Sequence, residues 1–148
     1  MDFEVLKGMS EETRRKILAS AREESHAQGA FLFRQGEPAR HFYILSEGRV
    51  RLTVGDAGLL AYGVSAAGDI LGWSALTENA TYTASVECRT PVKVLKIERT
   101  QLDEILAADP VSGMIFFKHF AALLGQRLVA SYQATLSVHG ERGPRPGG

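Results

Sequence analysis

The chain has 148 residues and a mass of 16.1 kDa, the size of one domain able to bury a core of its own. Seventeen Lys and Arg are matched by seventeen Asp and Glu, so no overall field is present for gripping nucleic acid or an acidic membrane. Apolar residues at 45% and charged residues at 23% exclude a disordered polyelectrolyte.

The first predicted element is a short amphipathic helix. Ser10 is a good N-cap, Glu11 and Glu12 sit where the helix dipole favours anions, and Ile17, Leu18 and Ala21 form an apolar stripe that ends before His26–Gly29. From Ala30 to Ile97 the texture changes to short β-branched and aromatic runs separated by turns. These are Phe31–Phe33, Phe42–Leu45, Val50–Val54, Leu59–Val64, Thr83–Cys88 and Val92–Ile97, with a hairpin turn expected over Val54–Gly58. Their spacing of about ten residues is that of an antiparallel sandwich or barrel. Glu98–Ala108 reads as a helix, and Asp109-Pro110 starts another that should run to Ser137, with proline in its first position. The Gly- and Pro-rich end, Gly140–Gly148, reads as a flexible tail, so the expected domain is 1–139 with a tail at 140–148.

Two segments are specific. In Leu32–Gly48, Gly36-Glu37, Ala39, the apolar block Phe42–Leu45 and Gly48 follow one another at spacings that place turns around a buried strand. In Gly68–Cys88, Leu71, Gly72, Ser74, Ala75 and Leu76 precede a short loop, Thr77–Thr81, and then Thr83, Ala84 and Val86. Together these resemble the cyclic nucleotide-binding domains of the catabolite activator protein and its relatives, over roughly residues 3–137. The resemblance implies an eight-stranded antiparallel β-roll, or double-stranded jelly roll, with an N-terminal helix and a long C-terminal helix. It also implies a ligand-binding cassette at Gly72, Trp73, Ser74, Ala75, Leu76, Tyr82 and Thr83.

Two of those positions depart from the family pattern. Where the family carries a Glu for the ribose 2′-hydroxyl and an Arg for the cyclic phosphate, this chain has Trp73 and Tyr82. Tyrosine offers one neutral hydroxyl and tryptophan one N–H, neither a substitute for a charged bidentate fork. Losing both contacts weakens a site by roughly a hundredfold to ten-thousandfold. Backbone N–H groups of Ser74, Ala75 and Leu76 are the expected remaining anion donors. Three readings of the pair stand open. Both rings fill the pocket and leave a ligand-free module; the pocket is rebuilt for another metabolite, with a ring stacked on the indole; or cyclic nucleotide binding is weak and altered.

On the last helix, Phe117, Ala121, Leu124, Leu128 and Tyr132 recur at three- and four-residue spacing. The resemblance implies that this stripe pairs two copies in a homodimer, while Met114, Phe116 and Phe120 are expected to pack on the roll. No helix-turn-helix follows in this sequence, so no direct nucleic-acid contact is expected.

Four scattered histidines and one cysteine, Cys88, give no metal-site or cofactor spacing. No serine has a nucleophile motif around it, and catalysis has no visible constellation. The N-terminus lacks the apolar core of a secretion signal, and Met114–Leu124 is too short and too charged to span a bilayer, so a cytoplasmic location is expected. The expected function is a noncatalytic regulatory or sensor domain with a small-molecule ligand. The alternative is a ligand-free protein-interaction or dimerisation module.

Overall fold

A computed structural model describes residues 3–55, 60–65, 67–78 and 80–142, the backbone alone for 60–65, 130–132 and 134–142. A 3-10 turn over Glu4–Leu6 buries Val5 and Leu6 and leads into α1, Glu11–Ser20. The Ser10 hydroxyl accepts the Thr13 N–H at 3.2 Å, the expected cap. The roll follows as β1 (Arg22–His26), β2 (Phe31–Phe33), β3 (His41–Glu47), β4 (Val50–Val54), β5 (Leu60–Ser65), β6 (Ile70–Leu71), β7 (Ser85–Cys88) and β8 (Val92–Glu98). Helices α2 (Arg99–Ala108) and α3 (Pro110–Arg142) complete it.

Among the described residues these eight strands make two antiparallel four-stranded sheets, ordered β1-β8-β3-β6 and β2-β7-β4-β5. The double-stranded roll is therefore present as expected. Alternation decides which way each residue of β3 faces. Phe42 is fully buried and meets the edge of Phe116 on α3, with centroids 6.1 Å apart. Tyr43 faces the other way, toward the second sheet, where it stacks on Phe33 at 5.8 Å. The roll core and the helix contacts thus use opposite faces of one strand.

Gly48 makes the β3–β4 turn with φ +95°. A Cβ there would overlap the Pro91 carbonyl and lie 2.8 Å from Val92 Cγ1, so this turn admits no side chain. The expected hairpin turn after Val54 falls largely on residues 56–59, which lie outside those described.

Three features correct the sequence reading. β1, sequence REESH, has no apolar residue and occupies the stretch leading up to His26–Gly29, where the first helix was expected to break; it pairs along β8 from Arg22↔Lys96 to His26↔Val92. β7 begins at Ser85 rather than Thr83. α3 continues through Arg142, beyond the expected end at Ser137, so the first residues assigned to a flexible tail, Gly140–Arg142, are helical; residues 143–148 lie outside those described.

The helices are tied together by Asp109, between α2 and α3. Its carboxylate accepts the Thr13 hydroxyl at 2.6 Å, the Ser10 hydroxyl at 2.8 Å and the Ser112 N–H at 3.2 Å. In return Ser112 Oγ accepts the Ser10 N–H at 3.0 Å. Hydrogen bonds from Ser112, Thr13 and Ser10 hold the Asp109 carboxyl far below the usual carboxylate range. Among the described residues no helix is long and apolar enough to cross a membrane.

Candidate functional site: the cassette and its aromatic wall

The expected cassette lies between β6 and β7. Gly72 ends β6 in the left-handed region, φ +73°, and a Cβ there would sit 3.1 Å from both the His41 carbonyl oxygen and Tyr82 Cε1. A 3-10 helix, Trp73–Leu76, follows. Ser74 and Ala75 are buried, and Trp73 and Leu76 are half-buried against the core. Ser74 Oγ lies 3.4 Å from Thr83 Oγ1 across the loop.

The backbone donors expected to face an anion are not all available. The Ala75 N–H donates to the Gly72 carbonyl at 3.0 Å, and the helix is a single turn with no side-chain cap. That removes one of the three N–H groups on which an anion site would rest.

Tyr82 is 5% exposed and stacks on Phe33, with ring centroids 3.8 Å apart and planes 19° off parallel. Its hydroxyl donates to the His41 carbonyl at 2.6 Å. The reason lies in the sheet. β6 pairs with β3 only at Tyr43↔Leu71 and Ile44↔Ile70, so nothing from β6 reaches His41. Tyr82 supplies the partner that the short strand does not. Burial, above all, pushes the pKa of both Tyr82 and Tyr43 up, keeping the two phenols neutral.

Gly72, Trp73, Ser74, Tyr82 and Thr83 do converge, with Phe33, on one hollow, which Ala75 and Leu76 do not line. Its volume is about 10 Å³, the space of about one water molecule. Phe33, in β2, is the residue of this hollow that the sequence reading did not single out.

On α3, Phe117, Ala121 and Leu128 face solvent, Phe117 and Leu128 being 40% and 52% exposed. Leu124 is half-buried against the core, and the Tyr132 side chain is outside the described residues. Phe116 and Phe120 pack on the roll as expected. Met114 does not; it is 54% exposed and belongs to the outer face. One link went unforeseen: Arg127 Nη2 on α3 donates to the Ile70 carbonyl at 2.8 Å, two residues before Gly72. Cys88 is buried, and burial pushes its thiol pKa up, away from reactivity. Among the described residues no three His, Cys, Asp or Glu gather as a metal site.

The sequence profile described as "cyclic nucleotide-binding domain" matches residues 23–109. The chain belongs to the cyclic nucleotide-binding domain family. This domain is 32% identical over 82 residues to human cGMP-dependent protein kinase 2, covering 55% of the chain and 10% of the kinase. The chain thus spans about a tenth of that relative's length. A solved protein of Geobacter metallireducens GS-15, named for cyclic nucleotide binding, is 25% identical with a TM-score of 0.76, covering 85% of this chain and 92% of that one. A cyclic nucleotide-binding domain from Methylobacillus flagellatus KT, at 20% identity, shares the fold with a TM-score of 0.79, covering 90% of this chain and 79% of that one.

Proposed function

We propose that this chain is a noncatalytic regulatory domain whose cassette does not hold a cyclic nucleotide by the family's usual contacts. The observation that carries this reading is Tyr82. At the position of the phosphate-binding arginine, its ring is stacked on Phe33 and its hydroxyl is committed to the His41 backbone. Trp73, at the position of the ribose-binding glutamate, brings one N–H and no carboxylate. The hollow of about 10 Å³ favours aromatic filling over a pocket rebuilt for another metabolite. The test is a calorimetric titration of the wild-type protein with cAMP, and with cGMP for comparison. No saturable heat is expected, and micromolar binding would overturn the reading. A Trp73→Glu/Tyr82→Arg double variant that remains folded should gain cAMP binding.

A second reading, compatible with the first, is that the domain works by association. Val111, Met114, Phe117, Leu128 and Val129 leave α3 with an apolar outer surface. Such a surface suits pairing with a second copy in a homodimer, or docking on a protein partner. The working unit is then the roll with its flanking helices, including α3 as far as Arg142.

A further inference from the structure

The outer face of the sheet β2-β7-β4-β5 collects arginines. Val50↔Cys88 and Leu52↔Val86 turn inward and are buried, so Arg51 and its cross-strand partner Glu87 point outward. One step beyond Val50↔Cys88, Arg49 stands opposite Arg89, and both are exposed. The Arg89 N–H donates to the Arg49 carbonyl at 2.9 Å. The Arg49 N–H donates in turn to Thr90 Oγ1 at 3.0 Å, so both backbones are held in place. On the neighbouring strand, Phe31 pairs with Glu87, and the Arg34 guanidinium lies 3.8 Å over the Phe31 ring.

Among the described residues the carboxylate of this face is Glu87, 3.7 Å from Arg89. Its one charge offsets one arginine, so Arg49, Arg51 and Arg89 together leave the face positive. Glu47, across the β3–β4 turn, is paired with Lys93 at 3.9 Å. Arg34 stands beside Glu37, which accepts its N–H at 2.6 Å, and is not part of the excess. Like charges directly opposite one another oppose strand pairing, so Arg49 and Arg89 gain from an anion laid across them.

We propose that this face docks an extended acidic segment of a protein partner, with carboxylates on alternate residues. Arg49 and Arg51, two residues apart on one strand, are spaced by about 6.8 Å, the interval at which an extended polypeptide repeats its alternate side chains. Guanidinium groups suit carboxylates, with Arg89 extending the contact onto β7. A nucleic-acid strand fits less well. Among the described side chains the aromatic of this face is Phe31, and Arg34 covers it, leaving no open ring there for a base. Leu52 and Val86 line the cassette hollow from the inner side of the same strands, so the two surfaces are back to back. The proposal depends on neither reading given above.

The test is a two-dimensional ¹⁵N NMR titration of the full chain with a synthetic peptide of alternating Glu and Thr. A peptide of alternating Lys and Thr controls for charge, and one with the same Glu residues made contiguous controls for spacing. Saturable shifts are expected at the amides of Arg49, Arg51, Glu87 and Arg89, and not along α3. Arg49→Gln and Arg51→Gln should each weaken binding about threefold to fivefold, and Glu87→Gln should tighten it by a similar factor. Tightening is an outcome that loss of structure cannot imitate. The proposal is overturned by an absence of saturable shifts, by equal binding of either control peptide, by shifts centred elsewhere, or by affinities unchanged in the folded variants. Tighter binding of single-stranded DNA of equal charge at these residues would overturn it in favour of nucleic acid.

Discussion

At the scale of single residues, one side chain carries the proposed closure of the cassette. An arginine at position 82 would carry its charge toward a ligand, whereas Tyr82 turns its hydroxyl onto a sheet edge left open by the two-residue strand β6. The same group therefore offers no charged anion contact and satisfies the half-buried His41 carbonyl. Tyr82→Phe keeps the stack on Phe33 but orphans the His41 carbonyl. It should cost about 1–3 kcal/mol in urea unfolding, with little change in the fold. Unchanged stability would mean that the hydroxyl is not needed at that edge. Trp73 is less constrained, being only half-buried, and its packing rather than any hydrogen bond accounts for its place.

At the scale of elements, Asp109 acts where three helices meet. Its carboxyl is held below the ordinary range by hydroxyl donors, so the folded state binds its proton less readily than the unfolded chain does. The resulting stabilisation is complete above the unfolded-state value of about 3.9 and is lost as pH falls from there through the folded-state value. Asp109→Asn should lower the melting temperature at pH 7, and the gap to wild type should narrow below about pH 4. A gap that stays constant with pH would mean that the charge plays no part. How far such elements were legible depends on what made them. Strands β3, β4 and β8 carry dense apolar runs, and both Ser10 and Pro110 mark helix starts by local chemistry. β1 was illegible because REESH contains only polar residues and becomes a strand solely by pairing with β8. β6 is too short to show any alternation. Gly72 and its neighbours marked residues that line the hollow, and filling by the two rings stood as one of three open readings, but the arrangement that favours filling was not legible. That rests on Phe33, Tyr82 and His41, which are brought together from three separate segments.

At the scale of the whole molecule, α3 connects two surfaces. Its inner side packs through Phe116 and Phe120, and Arg127 reaches the strand that leads into the cassette. Its outer side presents Phe117 and Leu128. If copies pair through that side, Leu128→Glu should shift sedimentation equilibrium from dimer to monomer while circular dichroism stays unchanged. A wild-type protein that sediments as a monomer at high concentration would remove the homodimer from the reading.

The wrapping of the roll also governs how it can be made. Among the described residues β1 pairs only with β8, and β2 only with β7, so the first strands emerge long before these partners can cover them. At roughly 5–20 residues per second, a ribosome needs several seconds to supply β7 and β8. Throughout that interval Phe31–Phe33 and the apolar block of β3 stand with open edges, as seeds for self-association. Synthesis, rather than the finished fold, is the stage at which this chain is most exposed to aggregation, and a nascent chain stalled before residue 85 is the species a chaperone would be needed to shield.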